Sequence, residues 1–281
     1  GMEFRLNTDV GRDVTIGELM NDYDAVFLGM GTYTAMRGNF PGEDLPGVHR
    51  ALDFLIGNLL PRLGLGSDGH IDLRGKRVMV LGGGDTAMDC NRTAVRQGAR
   101  SVSCVYRRDR ANIPGSQREV ANAEEEGVEM RFLTIPEAVV GRDGRLEGLQ
   151  CLRAELVAQE GSDRMRPVPV KGSDFVIEAD AIIPAIGQQV DAACLAPLEG
   201  LSWTRRSTID TSMVSMETSM PGIFAVGDAV TGPATVIEAI GAGKRAAEGI
   251  DRYLSGIPQP KMAPVPVRRG DIGCRRLSAN E

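Results

Sequence analysis

Arg77-Val78-Met79-Val80-Leu81-Gly82-Gly83-Gly84-Asp85-Thr86-Ala87 is the stretch that decides the fold. Val78 to Leu81 is an unbroken apolar run, the pattern of a strand buried on both faces. Gly82-x-Gly84-x-x-Ala87 follows with no spacer, and a helical stretch then runs to Gln97 and stops at Gly98, a C-cap glycine. Ser101 to Tyr106 reads as a second strand. Strand, glycine turn, helix and strand within about 35 residues make one βαβ unit, hence a parallel sheet with a right-handed crossover.

That context turns a weak motif into a dinucleotide fingerprint. Gly82 permits the tight turn, Gly84 lets the backbone approach a pyrophosphate, and Ala87 allows close helix–strand packing. Gly83, Asp85 and Thr86 complete the turn, whose free N–H groups at the helix start would meet phosphate oxygens. Asp85 reads as an N-cap carboxylate, or else as a ribose or nicotinamide contact. Asp89, one turn on, either serves a later step or faces a neighbouring domain.

The tip of the second strand selects the cofactor. A site for NAD carries Asp or Glu about 20 residues after the glycines, for the ribose 2′-hydroxyl. Here Tyr106-Arg107-Arg108-Asp109-Arg110 stands in that place. A 2′-phosphate is matched by guanidinium forks, so Arg107 and Arg108 read as a clamp for NADP(H). Asp109 is the argument against, since it could bond a ribose.

Outward from this centre, Thr15-Ile16-Gly17-Glu18 is a capping box opening a short helix, and Asp24 to Gly29 a buried parallel strand running into Gly29-Met30-Gly31-Thr32. Phe4 to Thr8 reads as a strand, behind a Gly1 that looks like a one-residue tag scar. Val48, Leu52, Leu55, Ile56 and Leu59 sit at helical spacing as a core face. A boundary is expected near Ile71. Ser116-Gln117-Arg118-Glu119 is a second capping box, and Val128 to Leu133 a third strand. Val139-Val140, the turn 142–145 and Leu146 to Val157 predict an antiparallel hairpin, and Ala181 to Gly187 a closing buried strand. Short strands are expected at 208–210 and 223–226, then a long helix over 235–254 and an extended Pro/Arg-rich tail from Pro258.

Composition excludes several functions. Lys+Arg 32 against Asp+Glu 38 gives a net charge of −6, which argues against nucleic-acid binding. No apolar run approaches the roughly 18 residues of a membrane span. There are 35 glycines in 281 residues, where ordinary usage near 7% would give about 20. Five scattered cysteines form no C-x-x-C and read as small buried hydrophobes in a reducing, cytoplasmic setting. Two histidines, His49 and His70, offer no metal pair and no basis for a Ser-His-Asp enzyme.

A second constellation lies near the end of the chain. Gly222 to Asp228 is a strand running into Gly-Asp, followed by Gly232-Pro233-Ala234-Thr235 at the start of the last helix. An aspartate at a strand end beside a helix start suits the polyol and carbonyl groups of a second cofactor. Ala239, Gly241, Ala242, Gly243, Ala246 and Ala247 give that helix a thin face.

Gly82 to Asp89, Tyr106-Arg107-Arg108-Asp109, Ile113-Pro114-Gly115-Ser116 and Phe224 to Asp228 together resemble the small (beta) subunit of NADPH-dependent glutamate synthase. Ala25 to Tyr33 and Gly42-Glu43-Asp44 share the resemblance, which covers about residues 15–255. It implies an α/β flavoprotein oxidoreductase. A Rossmann-like NADP(H)-binding domain (71–188, parallel sheet plus antiparallel meander) would be inserted in a partial FAD-binding α/β domain (1–70 and 189–257), with 258–281 as tail. It further implies that Gly82, Gly84, Asp85 and Thr86 cradle the NADPH phosphates and that Arg107 and Arg108 hold the 2′-phosphate. Gly29, Gly31, Thr32 and Gly187 would lie in crossover segments between the domains. Gly227 and Asp228 would bind FAD, with Ala234 and Thr235 near the flavin.

In that family NADPH gives a hydride to FAD, and iron–sulfur centres pass electrons to a large-subunit partner. The family's cysteine-rich N-terminal region and its first FAD fingerprint are missing from this sequence. The chain therefore reads as a fragment that binds NADPH and holds FAD weakly or not at all. No catalytic side chain or metal ligand is expected, because hydride transfer between cofactors needs position rather than a protein acid or base. The competing readings are a nucleotide-binding or assembly module without activity of its own and a disulfide reductase, which the absence of C-x-x-C disfavours.

Overall fold

The computed structural model describes residues 1–159, 162–195 and 198–260. In chain order its regular elements are α1 (Ile16–Asp22), β1 (Val26–Leu28), β2 (Thr34–Ala35), α2 (Ala51–Leu59), β3 (Arg77–Leu81), α3 (Asp85–Gln97), β4 (Ser101–Val105), α4 (Gln117–Glu125) and β5 (Glu129–Arg131). The meander follows: β6 (Thr134–Arg142), β7 (Arg145–Gln159), β8 (Ser162–Pro169) and β9 (Phe175–Glu178). Then come β10 (Ala181–Pro184), β11 (Gln188–Gln189), β12 (Ile223–Ala225), α5 (Asp228–Thr231) and α6 (Val236–Leu254).

The chain divides into two compact units: Tyr33–Gln189, and Gly1–Thr32 with the described residues from Val190 onward. The first is thus inserted in sequence between the two pieces of the second. At its base Gln188 and Gln189 of β11 pair antiparallel with Ala35 and Thr34 of β2, so the chain enters and leaves side by side. The division at 32/33 differs from the boundary read near Ile71. Ala51 and Phe54 of α2 are the reason: they share a core with Leu73, Val78 and Val80, which binds residues 33–70 to the inserted unit.

Within the inserted unit a parallel sheet runs in the order β10-β3-β4-β5. Its strands are short and apolar because both faces are covered. Val78, Val80, Val102, Cys104, Ala181 and Ile183 point into a core shared with α2, α3 and α4. Met79, Leu81, Val105 and Ile182 point the other way, onto Val139, Leu149 and Cys151 of the meander. β6, β7 and β8 are antiparallel, and β9 pairs with β7. The hairpin between β6 and β7 turns at Asp143 and Gly144, both at positive φ (51° and 74°), as a tight two-residue connection requires.

In the other unit β1 pairs in parallel with β12, Val26 against Ile223 through Leu28 against Ala225. α6 lays Ala242 and Ala246 against Met216 and Val226 and buries Gly249, where a Cβ would stand 2.3 Å from Ser215 O. The thin face of that helix is thus real but narrower than its small residues suggested, since Ala247 is exposed.

Three local expectations fail. Phe4 to Thr8 form no strand, and Phe4 and Leu6 are exposed, because no neighbouring strand pairs with them. Residues 208–210 contribute only a single bridge, Ile209 to Trp203. α2 buries Ala51, Phe54 and Gly57 rather than the expected face, leaving Ile56 and Leu59 about half exposed. Close approach sets that face: a Cβ on Gly57 would lie 2.2 Å from Gly69 O. The expected tail lies, from residue 261 on, outside the described residues. Among the described residues no helix is long and apolar enough to cross a membrane.

Candidate functional site

The glycine elbow sits at the C-terminal end of β3, where the sheet changes direction. From β3 the chain crosses through α3 to β4 on one side, while β10 occupies the other. Open α/β sheets bind ligands at such a switch point. Gly82 has φ +136°, donates its N–H to Val105 O at 3.0 Å, and would place a Cβ 2.3 Å from Ala185 O. Gly83 is covered by the Tyr106 ring and Ile113, which leave no room for a side chain. Gly84 differs from both: a Cβ there would meet nothing within 4 Å. The elbow is packed tightly from beneath and open at Gly84.

Gly84 is also the N-cap of α3, so Asp85 is not the cap but the first helical residue. Its Oδ1 instead accepts the backbone N–H of Ser116 at 2.9 Å. The N–H groups of Asp85 and Thr86, in the first turn of α3, have no intrahelical acceptor by helix geometry, whereas Ala87 N–H already donates to Gly84 O at 2.9 Å. Ala87 is fully buried against the sheet, as the fingerprint requires. Cys104, beneath the elbow, donates its thiol to Gly82 O at 3.2 Å. Burial pushes that thiol up to about 11, so it remains a protonated donor at neutral pH.

The two arginines part company. Arg107 is exposed, whereas Arg108 is only 9% exposed. Among the described residues neither makes an ion pair, and Arg108 Nε is buried without a hydrogen-bond acceptor. Asp109 is occupied: its Oδ1 accepts the Asn112 N–H at 3.0 Å and Asn112 Nδ2 at 2.7 Å. Arg110 pairs with Glu124. Partial burial, with Glu119 and Asp85 nearby, pushes the Asp89 carboxyl up from its ordinary value.

The expected capping box at Ser116 does not close. Ser116 is the N-cap of α4 but makes no side-chain cap bond. Glu119, its would-be partner, pairs with Arg92 of α3, and the Ser116 N–H goes to Asp85. The segment Ile113–Ser116 therefore lies over the elbow, with Gly115 N–H donating to Gly83 O at 2.8 Å. The sequence marks this segment only as part of the resemblance and as the start of a helix, and Pro114-Gly115 as a turn, without pointing to its contact with the elbow.

The second constellation forms a cleft of about 270 Å³ lined by Met213, Met216, Val226, Gly227, Asp228 and the first turns of α6. Gly227 (φ 65°) caps α5, and Asp228 Oδ1 accepts the Ala234 N–H at 3.2 Å. Thr235 is engaged in a complete capping box with Glu238. Val236, Ile237 and Ile240 leave the start of α6 apolar and exposed. Whole-ligand pockets run from about 300 to 1,000 Å³, so this cleft suits part of a large cofactor. Of the crossover residues, Gly31 has φ 71° and Thr32 is buried with its hydroxyl unpaired. Gly187 (φ 134°) accepts the Met36 N–H.

Cys90, Cys104 and Cys151 are buried, Cys194 is half-buried, and all four are free. Cys274 lies outside the described residues. Among the described residues no cluster of three His, Cys, Asp or Glu side chains is placed to hold a metal.

A strand, glycine elbow and helix at a switch point, inserted in a second α/β unit, define a nucleotide-dependent oxidoreductase fold. The chain belongs to the pyridine nucleotide-disulphide oxidoreductase family, which matches residues 5–243. It is similar to the glutamate synthase [NADPH] small chain of Halomonas elongata, 48% identical over 259 residues covering 90% of this chain and 55% of that one. The glutamate synthase [NADPH] small chain of Escherichia coli is 46% identical over 261 residues, with the same coverages of 90% and 55%. The chain thus spans about half the length of these curated relatives. Among solved structures, FprA of Mycobacterium tuberculosis in complex with NADPH shares the fold at TM-score 0.71 and 21% identity, over 89% of this chain and 68% of that one.

Proposed function

We propose that the inserted unit binds NADPH at the Gly82–Ala87 elbow and that the whole protein is the NADPH-oxidising, electron-input part of a glutamate synthase small-chain-like flavoprotein. The observation that carries the NADPH reading is Arg108. An arginine nine-tenths buried, its Nε unpaired and no carboxylate beside it, is costly, and an anion would compensate it. It stands two residues after Tyr106, whose ring covers Gly83, and this sequence neighbourhood assigns the uncompensated charge to the elbow in our reading. Exposed Arg107 supplies a second donor from the solvent side, and Asp109, bound to Asn112, is not free to select a ribose hydroxyl.

In this reading Gly84 gives the pyrophosphate its open approach, and the α3 N-terminus supplies N–H groups and a favourable dipole. Gly83 and Thr86 shape the same turn. Gly227, Asp228, Ala234 and the start of α6 hold the flavin part of FAD, while Gly29, Gly31, Thr32 and Gly187 serve as the connections between an NADP(H) domain and an FAD domain. When both cofactors are bound, the nicotinamide supplies a hydride and the flavin accepts it; the chain's residues bind, orient and exclude water. Iron–sulfur centres in a preceding region and a large electron-accepting subunit complete the path in the cytoplasm, where free buried cysteines are at home.

Titration with NADPH and with NADH tests the reading. The expected result is preference for NADPH, reduced about tenfold or more in Arg108→Ala and less in Arg107→Ala, with NADH binding unchanged. Equal affinities, indifferent to both substitutions, would remove the 2′-phosphate argument. A flavin absorbance spectrum of the purified chain separately decides whether the cleft beside Asp228 holds FAD.

A further inference from the structure

We propose that Asp85 is a positioning residue: it latches the segment 107–116 onto the glycine elbow and so sets the discrimination between phosphorylated and unphosphorylated nicotinamide dinucleotides. The inference rests on the 2′-phosphate reading of Arg107 and Arg108 and extends it to a residue that faces protein rather than nucleotide.

Two carboxylates compete for the Ser116 N–H. Glu119, three residues on, is the local capping partner that the sequence offers; Asp85 is 31 residues away. Asp85 has it, at 2.9 Å, because Glu119 is drawn to Arg92. A second bond runs beside it, from Gly115 N–H to Gly83 O at 2.8 Å. The two backbones are so close that a Cβ on Gly115 would stand 2.9 Å from Gly83 O. One end of the segment is therefore fastened to the elbow by two hydrogen bonds.

The segment is also stiff between its ends. Asp109 caps the turn at Asn112 with two bonds, the Tyr106 hydroxyl donates to Asn112 O at 2.7 Å, and Arg110 is paired with Glu124. A stiff strap fixed at Ser116 leaves Arg107 and Arg108, at its other end, little freedom to move. Direct contact between Asp85 and a phosphate is disfavoured, since like charges repel. Its carboxylate instead terminates α4 from outside, where a helix start favours negative charge.

The test is titration of NADPH and NADH against the wild-type chain, Asp85→Ala and Asp85→Asn, with hydrogen exchange of residues 109–116 measured on all three. Asparagine keeps the acceptor oxygen and removes the charge. The expected result is that Asp85→Asn retains the wild-type NADPH/NADH ratio, while Asp85→Ala lowers it about tenfold, the order of one hydrogen bond, with NADH affinity nearly constant. Exchange at Ser116 should accelerate in Asp85→Ala and not in Asp85→Asn.

An unchanged ratio in Asp85→Ala overturns the proposal. A parallel loss of NADPH and NADH affinity in both variants also overturns it, and would assign Asp85 to direct nucleotide contact. If the wild-type chain shows no preference and Arg108→Ala changes nothing, the 2′-phosphate reading falls and the discrimination role falls with it. Exchange at Ser116 would then show that the hydrogen bond itself survives as a tie.

Discussion

Gly82 and Gly84 carry the same side chain for opposite reasons. At Gly82 the backbone itself excludes any other residue, through φ +136° and the carbonyl of Ala185. Gly82→Ala should cost on the order of 2–4 kcal/mol, from positive-φ strain and a backbone clash together. Gly84 has an ordinary φ of −85° and open space above it. Gly84→Ala should leave the denaturation midpoint nearly unchanged yet weaken NADPH binding about tenfold or more, since its methyl occupies the approach to the pyrophosphate. Paired urea denaturation and NADPH titration check both. Loss of stability without loss of affinity in Gly84→Ala would contradict the assignment. Arg108 makes the same point: the sequence marks it as basic, and only its burial marks it as uncompensated.

Two helices begin with the same four-residue signature and differ in what it does. Thr235 and Glu238 close a full capping box on α6, with the Thr235 Oγ1 accepting the Glu238 N–H and the Glu238 carboxylate accepting the Thr235 N–H. Thr235→Ala should therefore destabilise its unit by about 1 kcal/mol. Ser116 heads an equivalent Ser-x-x-Glu on α4, but its side chain caps nothing. Ser116→Ala should cost no more than about 0.5 kcal/mol, the usual range for a surface change that removes no interaction. Chemical denaturation of both variants distinguishes the two. The difference arises because α3 lies beside α4 and offers Arg92 to Glu119 and Asp85 to the Ser116 N–H, neither of which is close in sequence.

At the scale of the molecule, the chain forms two compact units with separate cores, and a ligand held by one of them should stabilise that one. NADPH at about 100 times its Kd should stabilise the inserted unit by about 2.7 kcal/mol. Hydrogen-exchange protection should concentrate in 77–116, leaving β1, β12 and α6 at their ligand-free rates. Equal protection of both units would show that NADPH contacts both or couples them. The family relationship adds the context in which such a unit operates, although this chain spans about half the length of its curated relatives.

By itself the sequence determined what depends on neighbours along the chain: the strand–elbow–helix at 77–97, the Gly98 stop, the Asp143-Gly144 hairpin and the capping box of α1. Periodicity, cap chemistry and positive φ are local, so the residues that need them announce them. The tertiary structure alone decided which of several eligible partners each group took. It gave the Ser116 N–H to Asp85 instead of Glu119, buried Ala51 and Phe54 in place of Ile56 and Leu59, and moved residues 33–70 into the inserted unit. It left the Phe4–Thr8 segment without a sheet. Each of these is a competition among groups distant in sequence, settled by packing distance and charge, which no pattern along the chain records.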